Sequence, residues 1–459
     1  MKILKKLLRE DNFLSLSGNI IIAILGIGGF ALLARNLSIT VFGEWVLFIT
    51  AGSFVEMFRF GITNTGLIRF LSGAEAPDRI KLIGSNALIG LVATIGIALI
   101  LILCNLLFSE AIQSSGFYLF FKWYPILAFL NLPWNNALVL LQADQQYGKM
   151  LIVKFINSSL FFLVILSNFL FFELTLNQLI IALLIINGLT SVITLILKWD
   201  GSTYITKADV ATNKTLLHFG KYTTFTLVGS NLLRSADTLI ISLSPMGSAA
   251  VALYSIPLKL TELQQIPLRS FVATAFPKMS KASVLGKVDE VKDLFYTYSG
   301  ALTYLFIGIS VVTFVFAEFL VFLLSGQQYL KTDPITGFNV VDIVRVFAIY
   351  GLLLPIDRMT GIALDSINKP QINAIKVFVM VVANVIGDFI AIFIFKSLLL
   401  VAVASILFTA IGIWMGMYFL NKNFKLSYKA IFRNGFYFYE NLFHKATHNR
   451  YLPSHKISK

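Results

Sequence analysis

The stretch Ile83–Phe108, IGSNALIGLVATIGIALILILCNLLF, contains no charged residue. It outruns the roughly 20 apolar residues that a helix rising about 1.5 Å per residue needs to cross a bilayer. Two further runs, Gln178–Leu197 and Leu398–Leu420, also lack interior charge. All three read as membrane spans with faces turned to lipid.

Composition extends this reading to the whole chain. Of 459 residues, 57% are hydrophobic and only 13% are charged, and Phe alone occurs 42 times. A soluble chain would carry roughly a quarter charged residues, so the protein reads as polytopic. Nine more runs complete a set of twelve: Phe13–Ala34, Val41–Arg69, Tyr118–Leu141, Leu151–Phe172, Leu217–Leu243, Ala249–Phe276, Leu294–Leu324, Val341–Leu364 and Ile372–Phe395. The single Cys104 lies in an apolar run and three of the four His are in the tail, which leaves no disulfide and no metal cluster to expect. The net charge of +14 fits cytoplasmic loops before it fits nucleic acid, and no nucleic-acid partner is expected. The basic start MKILKKLLRED lacks a small-residue cleavage site and reads as no removable signal.

Loop charge sets the orientation. One side collects Lys2, Lys5, Lys6, Arg9, Arg79, Lys81, Lys149, Lys198, Lys207, Lys214, Lys221, Lys278, Lys281, Lys287, Lys292 and Lys369. The other has Lys331 and Lys396, with Arg35 at a boundary. The asymmetry places both termini in the cytoplasm. Parallel duplication is suggested by two short basic turns that lead into helices, QQYGKMLIVKF (Gln145–Phe155) and INKPQINAIKVF (Ile367–Phe378), aligned with Lys154 opposite Lys376. The expected domains are a first six-helix lobe with linker over 1–215, a second over 216–420, and a basic tail over 421–459.

Charges inside spans are costly, about 2.5–3.5 kcal/mol each on insertion scales, so each should face a partner or water. They cluster. Span two carries Glu56 and Arg59; span seven Arg234 and Asp237; span eight Lys259, Glu262 and Arg269; span ten Asp342, Arg345, Asp357 and Arg358. The i, i+3 spacing of Glu56/Arg59, Arg234/Asp237 and Lys259/Glu262 lets each acid meet its base on one helix face. That spacing serves self-neutralised helix glue as well as a water-filled cavity. In the second reading Arg59, Arg234, Asp237, Lys259, Arg269 and Arg358 line the cavity, and its positive lean suits an anionic head group. Asp388, four residues after Asn384, has no base within one turn of its helix. Asp388 and Glu56 are the candidates for coupling to an ion, H+ or Na+. No other cofactor is expected, and no nucleotide-binding G-x-x-x-x-G-K-[ST] motif occurs.

The order of motifs resembles a known family. Ala34, Arg35, Leu37, Phe42 and Gly43 are similar to the first helix and turn of polysaccharide flippases of the Wzx type, in the multidrug/oligosaccharidyl-lipid/polysaccharide (MOP) exporter superfamily. Phe219-Gly220, SADTLIISL with Asp237, Ala252-x-Tyr254 and Phe276-Pro277-x-x-Ser280 continue the likeness in the second half. The resemblance implies an all-α polytopic fold, twelve transmembrane helices in two six-helix lobes forming a MATE-like V. It implies carriage of an undecaprenyl-pyrophosphate-linked oligosaccharide across the bacterial cytoplasmic (inner) membrane by alternating access, without enzymatic chemistry. Family residues carry over only to Arg234 and Asp237.

Two other classes stay open. A MATE-like ion-coupled small-molecule antiporter would favour an acidic pocket, and a membrane enzyme acting on lipid-linked sugars would need a long outer loop. Partners expected besides the lipid-linked oligosaccharide are membrane lipids and polysaccharide assembly enzymes. The tail Asn421–Lys459, basic and aromatic, reads either as an amphipathic helix on the inner leaflet or as a disordered positive flank.

Overall fold

The computed structural model describes residues 11–71, 74–332 and 339–448. Every long regular element among them is helical, as the apolar runs require: in hydrocarbon, a helix satisfies each backbone polar group within its own segment. The first runs become α1 (Asp11–Asn36), α2 (Ile39–Gly61), α3 (Asn64–Leu71) and α4 (Ala76–Leu107). There follow α5 (Ser109–Gln113), α6 (Tyr118–Ala143), α7 (Tyr147–Leu170), α8 (Leu176–Ile196) and, after a 3-10 turn at Ser202–Lys207, α9 (Val210–Ser242). The second half holds α10 (Gly247–Val284), α11 (Val288–Val315), α12 (Ala317–Ser325), α13 (Val340–Gly351) and α14 (Leu354–Ser366). It closes with α15 (Pro370–Phe389), which runs into a π-helical segment at Ile390–Ile394, then α16 (Leu398–Asn421) and α17 (Tyr428–His448).

Helix starts are chemically marked. Asp209 accepts from the Thr212 amide at 2.9 Å and from its hydroxyl at 2.6 Å, which caps α9 and holds the carboxyl below the ordinary carboxylate range. That depressed value makes the cap fully effective at neutral pH and weakens it only as pH falls through the lowered titration. Thr175 and Gln178 form a reciprocal capping box on α8. Asn339 and Ser397 cap α13 and α16.

Eight helical stretches among the described residues are long and apolar enough to cross a membrane, fewer than the twelve runs expected. The difference has physical causes. α13 and α14 are 12 and 13 residues long because Pro355, lacking an N–H, interrupts the expected tenth span. α9 and α10 are long but more polar, and only Ile21–Asn36 of α1 contributes, as a shorter apolar helix. Past Lys81 α4 carries no charge and exposes Leu99, Ile100 and Leu103, and α16 exposes Leu407 and Trp414, apolar faces suited to lipid.

Packing separates two compact units: Met1–Ala252 with Leu324–Gln328, and Leu253–Leu323 with Tyr329–Lys459. In the first unit, α9 crosses the break between α2 and α3. A Cβ on Gly220 would fall 1.7 Å from the Ile62 carbonyl oxygen, so only glycine permits that approach. In the second unit α17 packs against α11 rather than standing as a free flank. Gly300 and Gly435 meet backbone to backbone, and a Cβ on Gly300 would lie 2.0 Å from the Ile431 carbonyl. Tyr439 donates to the Ala301 carbonyl at 2.9 Å, and the Ser427 amide donates to the Tyr296 hydroxyl at 2.8 Å.

The two basic turns are built alike. After α6, Gln145 takes φ 56° and the amides of residues 144, 145 and 146 reach the carbonyls of 140, 142 and 141. After α14, Asn368 takes φ 60° and residues 367, 368 and 369 reach 363, 365 and 364. The two patterns superimpose when Gln145 is aligned with Asn368. This register sets Lys154 opposite Val377, and buried Val153 opposite buried Lys376, correcting the alignment of the two lysines.

The tail contact makes a prediction. Gly435→Leu should drive α17 off α11, so limited trypsin digestion at Lys429 and Arg433 should rise severalfold over wild type. Equal digestion would show that the glycine contact does not hold the tail.

Candidate functional site

Five acids inside the expected spans, Glu56, Glu262, Asp342, Asp357 and Asp388, have a neighbour that accounts for them. In the first unit the α2 pair meets as the i, i+3 spacing requires, Arg59 Nη2 lying 2.8 Å from Glu56 Oε2. The α6 helix completes the environment: Arg59 Nη1 donates to the Ala128 carbonyl, and Asn131 Nδ2 donates to Glu56 Oε1 at 3.1 Å. Trp134 Nε1 in turn donates to Asn131 Oδ1 at 3.3 Å, orienting the amide. The Arg59 residue has 0% exposure while the Glu56 side chain keeps 20%. Glu56 is therefore the member of the pair that solvent or an ion can reach. Spacing foretold the pair, but Asn131, Ala128 and the burial come from the crossing of α2 and α6.

In the second unit Lys259 and Glu262 form the expected pair at 3.0 Å, both partly exposed on α10. Asp342 and Arg345, not singled out as a pair in the sequence, also meet at 3.1 Å at the start of α13. A third pair was not foreseen. Lys376 of α15, 2% exposed, lies 2.7 Å from Asp357 Oδ1 in the first turn of α14. Its ammonium also donates to the Asp357 carbonyl at 2.9 Å and to Thr360 Oγ1 at 3.1 Å. A lysine one turn inside an apolar helix was the available signal, and it had been taken for turn charge.

Asp388 is sealed at 0% exposure and accepts from Asn384 Nδ2 at 2.9 Å, on the same buried face of α15 as Lys376 and Met380. The π segment begins two residues later, and such insertions re-aim side chains and recur at functional sites. Lys122 of α6 lies over the rings of Tyr118 and Trp123. Asp237 is buried at 5% exposure in α9. The Arg234 side chain falls outside the described residues, so its spacing partner is not placed. Arg269 and Arg358 are exposed and have no acid within ion-pair reach among the described residues.

The buried pair on α2 carries a stability prediction. Arg59→Ala leaves Glu56 partly buried beside an empty site and should cost about 3–5 kcal/mol, whereas Arg59→Met with Glu56→Gln should cost much less. Thermal unfolding in detergent reads the difference. Equal losses would show that charge pairing does not matter there.

The family model described as "Polysaccharide biosynthesis protein" matches residues 8–283. No curated protein matches the sequence. Among solved structures the chain is similar to an inward-facing multidrug resistance MATE family transporter of the MOP superfamily, with TM-score 0.70 and 13% identity over 90% of this chain and 99% of that one. It is similar also to the lipid II flippase MurJ in an inward closed conformation, with TM-score 0.70 and 14% identity over 96% and 94% of the two chains. A MOP superfamily transporter from Pyrococcus furiosus, whose binding pocket is described as having reverse polarity, follows at TM-score 0.58 and 13% identity over 91% and 97%. At such identities the likeness is one of fold. The resemblance read from Ala34–Gly43 onward holds: this is a multi-pass membrane protein with the MATE-like fold of MOP transporters, and it belongs to the polysaccharide biosynthesis protein family.

Proposed function

We propose that the protein is a flippase for an undecaprenyl-pyrophosphate-linked oligosaccharide in the bacterial cytoplasmic membrane, acting by alternating access of two lobes, 1–215 and 216–420. Both termini face the cytoplasm. No bond is made or broken in the transport step, and polysaccharide assembly enzymes supply and consume the cargo.

One observation carries the reading. Glu56, Glu262, Asp357 and Asp388 each have a base or amide in their own unit, while Arg269 and Arg358 stay exposed. The surplus is cationic, and a guanidinium grips a phosphate with two parallel hydrogen bonds. Arg59 contributes long-range field rather than contact, since it has no exposure and lies between Glu56 and the Ala128 carbonyl. In this proposal Arg234 and Asp237 line the inner wall of the second lobe. The proposed coupling ion, H+ or Na+, acts at Asp388 or at Glu56, the carboxylates whose protonation or coordination changes net charge inside the bilayer.

Two experiments bear on this. Arg234→Ala and Arg358→Ala should each lower surface polysaccharide at least about tenfold at normal protein abundance, a transition-state difference of about 1.4 kcal/mol or more. Unchanged export in both would remove them from the substrate path. Asp388→Asn should leave insertion intact and abolish the dependence of transport on the ion gradient. Retained dependence would move coupling elsewhere.

A further inference from the structure

The exposed side of α17 has no part in anything described above. Its other side is closed: Ala430, Ile431, Asn434 and Gly435 are buried, and Phe438 meets Phe271 of α10 with ring centroids 6.2 Å apart. Two rows of side chains remain outside, each at the i, i+4, i+8 spacing that keeps residues on one helix face. Tyr428, Phe432 and Phe436 form an aromatic row, 46% to 64% exposed. Lys429, Arg433 and Tyr437 form the row beside it and are exposed as well. Phe432 stands edge to face with Tyr304 of α11, centroids 6.4 Å apart. From Tyr304 an exposed apolar stripe continues along α11 through Ile307, Val311 and Val315. The aromatic row is therefore the near end of a surface that is suited to lipid.

We propose that this side of α17 binds anionic phospholipid of the leaflet facing the cytoplasm, with the aromatic row set into the acyl boundary and the basic row at the headgroup phosphates. The claim needs only a place in the membrane, so it stands whatever the cargo is. Charge selects the occupant. From Lys422 to Lys459 the sequence holds eight lysines and arginines against one acid, Glu440. Such a segment is drawn to an anionic leaflet and loses that attraction on a neutral one. Lys429, and Lys425 just before the helix, supply exposed ammonium groups, whereas Arg433 shares its field with Asp293 of α11. Aromatic side chains in turn settle at the level between acyl chains and water. The loop-charge rule puts the start of α11, between Lys287 and Lys292, on the cytoplasmic side, and α17 meets α11 at Tyr296 and Tyr304. Continuity with the apolar stripe of α11 favours a bilayer over a soluble protein as the occupant.

The position of α17 is read from a nitroxide attached through Phe436→Cys in full-length protein carrying Cys104→Ser, reconstituted in nanodiscs. With phosphatidylglycerol mixed into phosphatidylcholine, oxygen should relax the label more strongly than an aqueous nickel chelate does, the mark of a site in the acyl boundary. The phosphatidylglycerol fraction that gives half of this effect should rise severalfold in the double variant Lys425→Gln with Lys429→Gln, at an unchanged melting temperature. It should rise with salt too, because exposed charges are screened. A label that the nickel chelate reaches better than oxygen at every lipid composition overturns the proposal and leaves this face to a soluble partner. The same depth in pure phosphatidylcholine, or an unshifted midpoint in the double variant, overturns the anionic preference.

Discussion

A guanidinium with no solvent exposure, Arg59, sits between α2 and α6 in a region where lipid offers nothing to solvate it. Its solution sets the pattern for the structure. The charge is divided among the Glu56 carboxylate, the Ala128 carbonyl and, through Glu56, the amide of Asn131. Lys376 repeats the arrangement with Asp357 and Thr360, and Asp388 does so more modestly with Asn384. Removing one partner from such a group strands the other, at a cost of several kcal/mol.

Backbone polar groups meet the same constraint where helices break. α2 ends at Gly61 and α3 begins at Asn64, and the freed backbone there is covered by α9 at Gly220. The α13–α14 break at Pro355 puts Asp357 into the first turn of a new helix, facing Lys376. Both interruptions place polar chemistry at depths where an unbroken helix would present only side chains. The breaks and the charges therefore belong to one design rather than to separate accidents.

Much of this was legible in the sequence, and the part that was not has a common cause. Apolar length located the helices, because hydrocarbon thickness is a property of the bilayer and not of the partner helix. The pairs Glu56/Arg59, Lys259/Glu262 and Asp342/Arg345 follow from spacing because both members share one helix face. Lys376 and Asp357 are 19 residues apart across a turn, and only tertiary packing joins them. The docking of α17 likewise depends on Gly300 meeting Gly435, a match between two helices that neither helix reveals alone. The register of the basic turns was off by one because composition aligned the lysines, whereas the hydrogen bonds align the left-handed residues Gln145 and Asn368.

The account stands on movement of a pyrophosphate-bearing lipid without chemistry upon it. Proteoliposomes loaded with undecaprenyl-pyrophosphate-linked oligosaccharide in the inner leaflet give the direct measurement, read by a membrane-impermeant lectin or glycosidase outside. Purified wild-type protein should expose the glycan to the outside with the lipid recovered chemically intact, and Arg358→Ala should slow that exposure at equal protein density. Glycan that stays inaccessible with wild-type protein, or a lipid recovered cleaved or extended, would contradict it.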